Sequence, residues 1–171
     1  MKKIGWIMIA CLLLLTGCKG NIKDGVAFLE AEKYEEALEV FREDIDKKKN
    51  LDEAYHGMGI AYFELGKYED ALEAFELALK HEAEETPAMC AFMGACYLEK
   101  EELAKALDVY ERALSKKEIS KELKQEIEFN LIGIYEDMGN WEAAKTQMER
   151  YVKDYPEDTR VEKEADFLET R

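Results

Sequence analysis

Glycines and tyrosines recur along this chain at intervals of 34 to 38 residues, and this recurrence restricts the fold more than any other feature. Gly25 and Gly59 are 34 residues apart. Tyr62 is followed by Tyr97 after 35 residues and by Tyr135 after a further 38. A period of this size is typical of proteins that stack one small supersecondary unit on the next. The spacing therefore predicts an array of repeats.

The clearest unit runs from residue 52 to residue 83, with Gly66 placed to form a left-handed turn between two helices. Its apolar and small residues fall at helical spacings on both sides of that turn. These residues are Tyr55, Met58, Gly59, Tyr62, Tyr68, Ala71, Phe75 and Ala78. The pattern resembles the tetratricopeptide repeat, a helix–turn–helix unit of about 34 residues.

The resemblance implies an all-α fold, a right-handed superhelical solenoid of about four tetratricopeptide units with a C-terminal capping helix. We place the repeats at residues 18–50, 52–85, 87–118 and 122–156, and the capping helix at 158–170. One such unit cannot bury its apolar face alone, so neighbouring units must stack. We therefore interpret the tyrosines and methionines as framework residues first.

Several residues give more local predictions. Asn50 is expected to cap the helix of the second unit, and Thr86 with Pro87 to begin the helix of the third. Glu101 replaces the turn glycine of the third unit. Ile132 replaces a small residue in the fourth unit, which predicts that its two helices are more widely spaced.

The first residues have the pattern of an export signal. Lys2 and Lys3 precede an apolar run over residues 4–15, which is too short to span a bilayer. Residues 15–18, Leu-Thr-Gly-Cys, look like the lipobox of bacterial lipoproteins. The resemblance implies that a signal peptide of residues 1–17 is removed. Cys18 then carries a diacylglycerol thioether, with or without an N-acyl chain, and residues 18–171 form the tetratricopeptide domain.

The net charge of the chain restricts the classes of partner that it can bind. The formal net charge of −15 argues against nucleic acid, because phosphates require basic contacts. The same charge repels anionic lipid headgroups, so the lipid on Cys18 is the expected membrane attachment. We expect an exported protein, anchored to the outer face of the bacterial cytoplasmic membrane or to the outer membrane. No cofactor other than this lipid is predicted.

Catalytic chemistry is not indicated. The chain has two histidines, His56 and His81, and lacks a P-loop, a nucleophile elbow and a paired-histidine metal motif. Cys90 and Cys96 are six residues apart on one helix, beyond disulfide reach, and are interpreted as buried thiols. We predict no enzyme, no catalytic residues and no metal site.

The family resemblance also implies a concave groove lined by the first helix of each unit. The candidate groove residues are Ile22, Val26, Leu29, His56, Ile60, Phe63, Glu64, Leu98, Glu99, Phe129, Glu136 and Asp137. This set is apolar in its middle and acidic at one edge, unlike the lysine and asparagine clamp of family members that bind chaperone tails. A protein or peptide partner with an apolar segment carrying Lys or Arg fits it best.

Two alternatives remain open at this point. The apolar candidates could be buried by the next helix instead of lining an open groove. The chain could also associate with itself as a homo-oligomer with no separate peptide ligand, because repeat arrays can pair through the groove or through an imperfect end. The preferred hypothesis is a lipid-anchored adaptor or assembly factor at the bacterial cell envelope.

Overall fold

A computed structural model of the protein describes residues 20–161. This part of the chain contains eight α-helices and one 3-10 helix, and no strand. The helices are α1 (Gly20–Glu30), α2 (Tyr34–Asp46), α3 (Leu51–Glu64), α4 (Tyr68–Lys80), α5 (Pro87–Glu99), α6 (Leu103–Ser115), α7 (Lys121–Asp137) and α8 (Trp141–Asp154), followed by the 3-10 helix Thr159–Val161. Residues 1–17, Cys18 and most of the predicted capping helix lie outside the described residues.

Consecutive helices pack as four hairpins, which we call units 1 to 4: α1 with α2, α3 with α4, α5 with α6, and α7 with α8. The odd-numbered helices also contact one another in order, and each even-numbered helix before α8 packs on the odd-numbered helix that comes after it. The odd-numbered helices therefore form one continuous face, which we call the odd-helix wall. This arrangement confirms the predicted all-α repeat solenoid.

Every unit reverses its chain through one residue in the left-handed region. The four equivalent residues are Glu32 (φ 57°), Gly66 (φ 70°), Glu101 (φ 57°) and Gly139 (φ 70°). In unit 2 the amides of Gly66 and Lys67 donate to the carbonyls of Phe63 and Tyr62, both at 2.9 Å, and so close the end of α3. Units 1 and 3 make the same turn with a glutamate, which costs about 1 kcal/mol relative to glycine.

Close contact between an aromatic ring and a glycine sets the distance between the two helices of a unit. A Cβ added to Gly59 would lie 2.5 Å from the Phe75 ring, and one added to Gly94 would lie 2.5 Å from the Tyr110 ring. The glycines are thus required by space, and each ring fills the gap opposite its glycine. In unit 4 Ile132 is buried in one cluster with Met148, and the wider spacing remains a prediction.

The predicted helix starts are partly correct. Thr86 caps α5, because its side chain accepts a hydrogen bond from the Met89 amide at 3.1 Å, with Pro87 as the first helical residue. The prediction for Asn50 is wrong: its side chain makes no capping hydrogen bond and its φ is 46°. A capping side chain requires an extended backbone, whereas Asn50 lies in the left-handed turn between units 1 and 2.

The core is continuous through the middle of the array. One cluster joins α4, α5, α6 and α7, and smaller clusters occupy the two ends. Cys90 and Cys96 are both free and buried within the central cluster. Burial raises the pKa of the Cys96 thiol to about 12, so this cysteine stays a neutral thiol near neutral pH. Over residues 20–161, none of the helices is both long and apolar enough to cross a membrane.

Candidate functional site

The twelve predicted groove residues all belong to the odd-numbered helices and therefore to the odd-helix wall. Unit 1 contributes Ile22, Val26 and Leu29; unit 2 His56, Ile60, Phe63 and Glu64; unit 3 Leu98 and Glu99; and unit 4 Phe129, Glu136 and Asp137. Direct packing between successive odd-numbered helices places the four sets side by side. The structure thus brings together on one wall residues that are more than 100 positions apart in the sequence.

The twelve predicted groove residues differ in how far their side chains are buried. Ile22 is 3% exposed and Glu136 is 6% exposed, so neither offers surface to a ligand. Ile22 packs in the cluster that units 1 and 2 share, and Glu136 is buried on α7, which corrects the assignment of both residues to the groove. Glu99 and Asp137 are exposed, and the other eight residues are half-buried. The accessible candidates are therefore apolar side chains with one edge open, next to carboxylates in water.

Phe63 has a structural role in addition to its open edge. Its ring lies 5.1 Å from the Phe92 ring and 5.9 Å from the Tyr68 ring, both in edge-to-face geometry. Phe92 in turn stacks on Phe75 at 6.0 Å. We call Phe63, Phe75 and Phe92 the aromatic junction, because these rings join unit 2 to unit 3. Aromatic pairs of this kind stabilise by about 1 kcal/mol beyond the area that they bury.

Two of the acidic candidates are engaged by tyrosines of the preceding unit. The hydroxyl of Tyr34 donates to Glu64, and that of Tyr68 donates to Glu99. Burial is the main reason that the pKa of Glu64 is raised, and the hydrogen bond from Tyr34 partly offsets it. These carboxylates therefore link neighbouring units. A basic partner would have to share them with the tyrosines.

His56 is a half-buried side chain whose ring nitrogen Nε2 is shielded from water. Its Nε2 atom has no contact with solvent and no hydrogen-bond partner, and its ring packs on Phe75 at 5.9 Å. Burial lowers the pKa of His56 from 6.5 to about 4. The side chain is thus uncharged near neutral pH and serves the aromatic junction. His81, the residue after α4, stacks on Tyr55 with ring centroids 5.4 Å apart.

At unit 4, Phe129 is covered by a residue that sequence reasoning missed. The guanidinium of Arg160 lies 4.3 Å from the centroid of the Phe129 ring and donates to Glu126 at 2.8 Å. Arg160 also donates to both oxygens of Asp158, at 2.7 to 3.1 Å. We call Glu126, Phe129, Asp158 and Arg160 the charged junction. A signal for it existed, since Arg160 comes one 34-residue period after Glu126.

Tyr151 and Gln125 support the charged junction. Tyr151 donates to Asp158 at 2.6 Å, and Gln125 donates to the same oxygen at 2.9 Å. The contact with Arg160, aided by these donors, holds the pKa of Asp158 well below its usual range. Burial and the bond to Asp158 raise the pKa of Tyr151 to about 12. The carboxylate is therefore ionised under all ordinary conditions.

The charges of the described residues are not arranged for metal binding. Across residues 20–161, no group of three or more His, Cys, Asp or Glu side chains is placed to hold a metal ion. The two histidines lie in separate aromatic pairs, His56 with Phe75 and His81 with Tyr55. What this wall offers is a row of partly exposed apolar side chains, an acidic edge, and one aromatic ring covered by an arginine.

Two of the solved structures that match this chain illustrate the shared fold. The C-terminal part of a TPR repeat-containing protein from Cytophaga hutchinsonii superimposes with a TM-score of 0.74 at 21% identity, over 86% of this chain and 56% of that one. MamA (AMB-1) superimposes with a TM-score of 0.72 at 17% identity, over 86% of this chain and 78% of that one. The chain thus spans little more than half of the Cytophaga structure. A search of curated proteins finds no match.

Three profiles of one family match the sequence. Each is described as the tetratricopeptide repeat, and they match residues 28–81, 56–120 and 129–158. The matches begin inside unit 1, run through units 2 and 3, and resume in unit 4, in agreement with the helical hairpins. The chain is a tetratricopeptide repeat protein.

Proposed function

We propose that this chain is a lipid-anchored adaptor or assembly factor at a bacterial cell envelope, which binds a protein or peptide segment along the odd-helix wall. The observation that supports it is the row of half-buried apolar side chains on successive odd-numbered helices, among them Val26, Ile60 and Leu98. Tetratricopeptide repeat folds generally act as non-catalytic scaffolds for protein partners. The two burial corrections narrow the binding surface to the ten remaining candidates.

The partner is expected to carry an apolar segment with basic residues. Exposed carboxylates border the apolar row, with Glu30, Glu99 and Asp137 at the ends of their helices. Apolar side chains supply most of the affinity in such a contact, and complementary charge speeds the encounter and selects the partner. A chain with a net charge of −15 attracts a basic partner from a distance, more strongly at low salt.

A matched pair of leucines in unit 3 tests the binding surface. Leu98 on α5 and Leu107 on α6 are both half-buried and pack on the same core cluster, but only Leu98 is on the odd-helix wall. Partners captured by crosslinking the membrane-anchored protein should decrease with Leu98→Ala and persist with Leu107→Ala. Equal capture by the two variants, at equal expression, would contradict binding on this wall.

The anchor has a separate test. Leu-Thr-Gly-Cys at residues 15–18 motivates the assignment of Cys18 as the lipidated residue. Cys18→Ser should leave the precursor unprocessed or release the chain from membranes, as seen by fractionation and by the mass of the N-terminal fragment. A Cys18→Ser protein that is still cleaved and retained on membranes would rule out this anchor.

Self-association is distinguished by mass. If the chain acts only by pairing with itself, its mass in light scattering should rise with concentration, and crosslinking should recover only its own copies. A mass that does not depend on concentration, together with a separate crosslinked protein, supports the adaptor.

A further inference from the structure

The charged junction has the composition of a binding site for a guanidinium group. Glu126 accepts a hydrogen bond from Nη1 of Arg160 at 2.8 Å, and Asp158 accepts from Nε and Nη2. Nη2 of the same arginine donates to the Tyr151 hydroxyl at 3.0 Å, while the Phe129 ring covers one face of the plane. Two carboxylates in the plane and an aromatic ring on its face match a guanidinium in shape as well as in charge.

Two walls of this site, Asp158 and Phe129, are held by contacts that do not involve the Arg160 side chain. Asp158 is held by hydrogen bonds from Tyr151 and Gln125, at 2.6 Å and 2.9 Å. Phe129 packs on the Tyr151 ring with centroids 5.7 Å apart, and Glu126 is part of α7. Removing the arginine side chain would therefore leave a formed site with two carboxylates and no cation.

Exposure makes the arginine replaceable. The side chains of Glu126 and Asp158 are 14% and 10% exposed, whereas that of Arg160 is 38% exposed. Its backbone belongs to the three-residue 3-10 helix Thr159–Val161, at the end of the described chain. The anions are thus fixed and mostly shielded from water, and the cation is on the side that solvent and a partner can reach.

We propose that Glu126, Phe129, Tyr151 and Asp158 form an arginine-binding site, which Arg160 fills in the free chain and which an arginine of the bound partner occupies instead. This inference rests on the proposed function, and it names one basic residue of the partner as arginine. Lysine fits less well, because an ammonium cannot bond both carboxylates in one plane while stacking on Phe129. An arginine of the partner must compete with Arg160, which has a high effective concentration because it belongs to the same chain. Contacts of the partner elsewhere on the odd-helix wall offset that disadvantage.

The site itself is tested with a small probe. The full-length chain in nonionic detergent is compared with its Arg160→Met variant, in which the side chain keeps bulk and loses the charged fork. N-acetyl-L-arginine amide should raise the melting temperature of Arg160→Met in a saturable way. N-acetyl-L-lysine amide at the same ionic strength should have much less effect. Equal shifts with the two amides, or no shift with either, would overturn the proposal.

Further variants define the site. Adding Glu126→Gln to Arg160→Met should remove the response to the arginine amide, because the in-plane acceptor loses its charge. Glu142→Gln, an exposed change on α8, serves as the matched control and should leave the response intact. If Arg160→Met does not fold, Arg160→Lys replaces it, and the arginine amide should still stabilise that variant. No response in a folded Arg160→Lys would also overturn the proposal.

The replacement of Arg160 by another arginine must also be tested in the chain without substitutions. Binding of the arginine amide should be at least tenfold weaker than in Arg160→Met, because Arg160 competes for the site. In ¹⁵N NMR spectra, the Nε–Hε proton of Arg160 should be protected in the free chain and exchange with water as the probe saturates. A probe that binds while Arg160 stays protected would overturn exchange.

Failure here can be told apart from failure of the proposed function. If Leu98→Ala lowers partner capture but Arg160→Met gives no response to the arginine amide, only the arginine site is wrong. If the arginine amide stabilises Arg160→Met but Leu98→Ala does not change the amount of partner captured, the arginine site exists and the odd-helix wall is not the partner surface.

Discussion

The aromatic junction and the charged junction each join an odd-numbered helix to the next part of the array, and they do so with opposite chemistry. Between units 2 and 3, Phe63 and Phe75 both meet Phe92, and Phe75 is completely buried. After unit 4, the contact is a guanidinium between two carboxylates, and the cation is 38% exposed. Apolar burial is insensitive to salt and contributes to stability in proportion to area. An ion pair whose cation is partly exposed contributes less and is screened by salt.

The two junctions therefore contribute to the array in different ways. The aromatic junction lies in the central cluster, where loss of packing would separate the two halves of the solenoid. The charged junction follows unit 4, at the C-terminal limit of the described residues. In a repeat protein each interface contributes separately to stability, so a contact made by a partly exposed cation can open without unfolding the rest. A replaceable contact is therefore tolerated at unit 4 and would be costly at unit 2.

The largest effect is expected from breaking the aromatic junction. Phe75→Ala removes a ring that is 0% exposed and that fills the gap opposite Gly59. It should lower the free energy of unfolding by about 4 kcal/mol, measured by urea denaturation followed by circular dichroism. Phe129→Ala at the charged junction is the matched change and should cost no more than about 2 kcal/mol, because that ring is half-buried. Equal losses would remove the distinction between the junctions.

The second test is the loss of stability at acidic pH that the buried ring nitrogen of His56 should cause. The pKa of this imidazole is lowered by burial from 6.5 to about 4, so the unfolded chain binds the proton first as the pH falls. Its contribution is fully present above pH 6.5 and is lost between pH 6.5 and about 4, to a total of about 3 kcal/mol. His56→Leu should remove this part of the decline. Denaturant midpoints of the two proteins across that range should diverge, and parallel profiles would contradict a neutral imidazole at this position.

The third test is salt. Arg160→Met should lower the stability of unit 4 by about 1 kcal/mol at low salt, since solvent screens a cation that is 38% exposed. The difference from the unaltered chain should shrink as NaCl approaches 1 M, where the screening length is about 3 Å. Hydrogen exchange of the α8 amides reports the local change. A salt-independent loss spread over all four units would show that Arg160 acts through packing.

The sequence was sufficient for the fold because equivalent residues perform equivalent packing. Gly59 with Phe75 and Gly94 with Tyr110 show the same close contact, so the period predicts the hairpin. It did not predict which side chains meet between units, because those contacts depend on how each unit sits on the next. Ile22, placed in the groove by its position, is buried for that reason.

The charged junction shows the same limit. Glu126 and Arg160 are one period apart and their charges are complementary, but their contact exists only because the chain after α8 returns to the side of α7. The prediction for Asn50 was wrong for a different reason. Asparagine is a preferred N-cap residue, but the backbone at this position adopts a left-handed turn. Composition and period thus define the framework, whereas the contacts between one unit and the next depend on how the units pack in three dimensions.

The smallest effect should come from a change that affects neither junction. Glu101 forms the turn of unit 3 with φ 57°, where Gly66 serves in unit 2 with φ 70°. Glu101→Gly should therefore raise the free energy of unfolding by about 0.5 to 1 kcal/mol, because glycine adopts this backbone region without strain. Gly66→Ala is the converse and should lower stability by a similar amount, since space is open around Gly66 and only the backbone opposes a side chain. Neither variant should alter the salt response of Arg160→Met or the acid response of His56, since the turns are separate from both junctions. If Glu101→Gly changes either response, the turns and the junctions are coupled, and the stability of this array is not a sum of independent units.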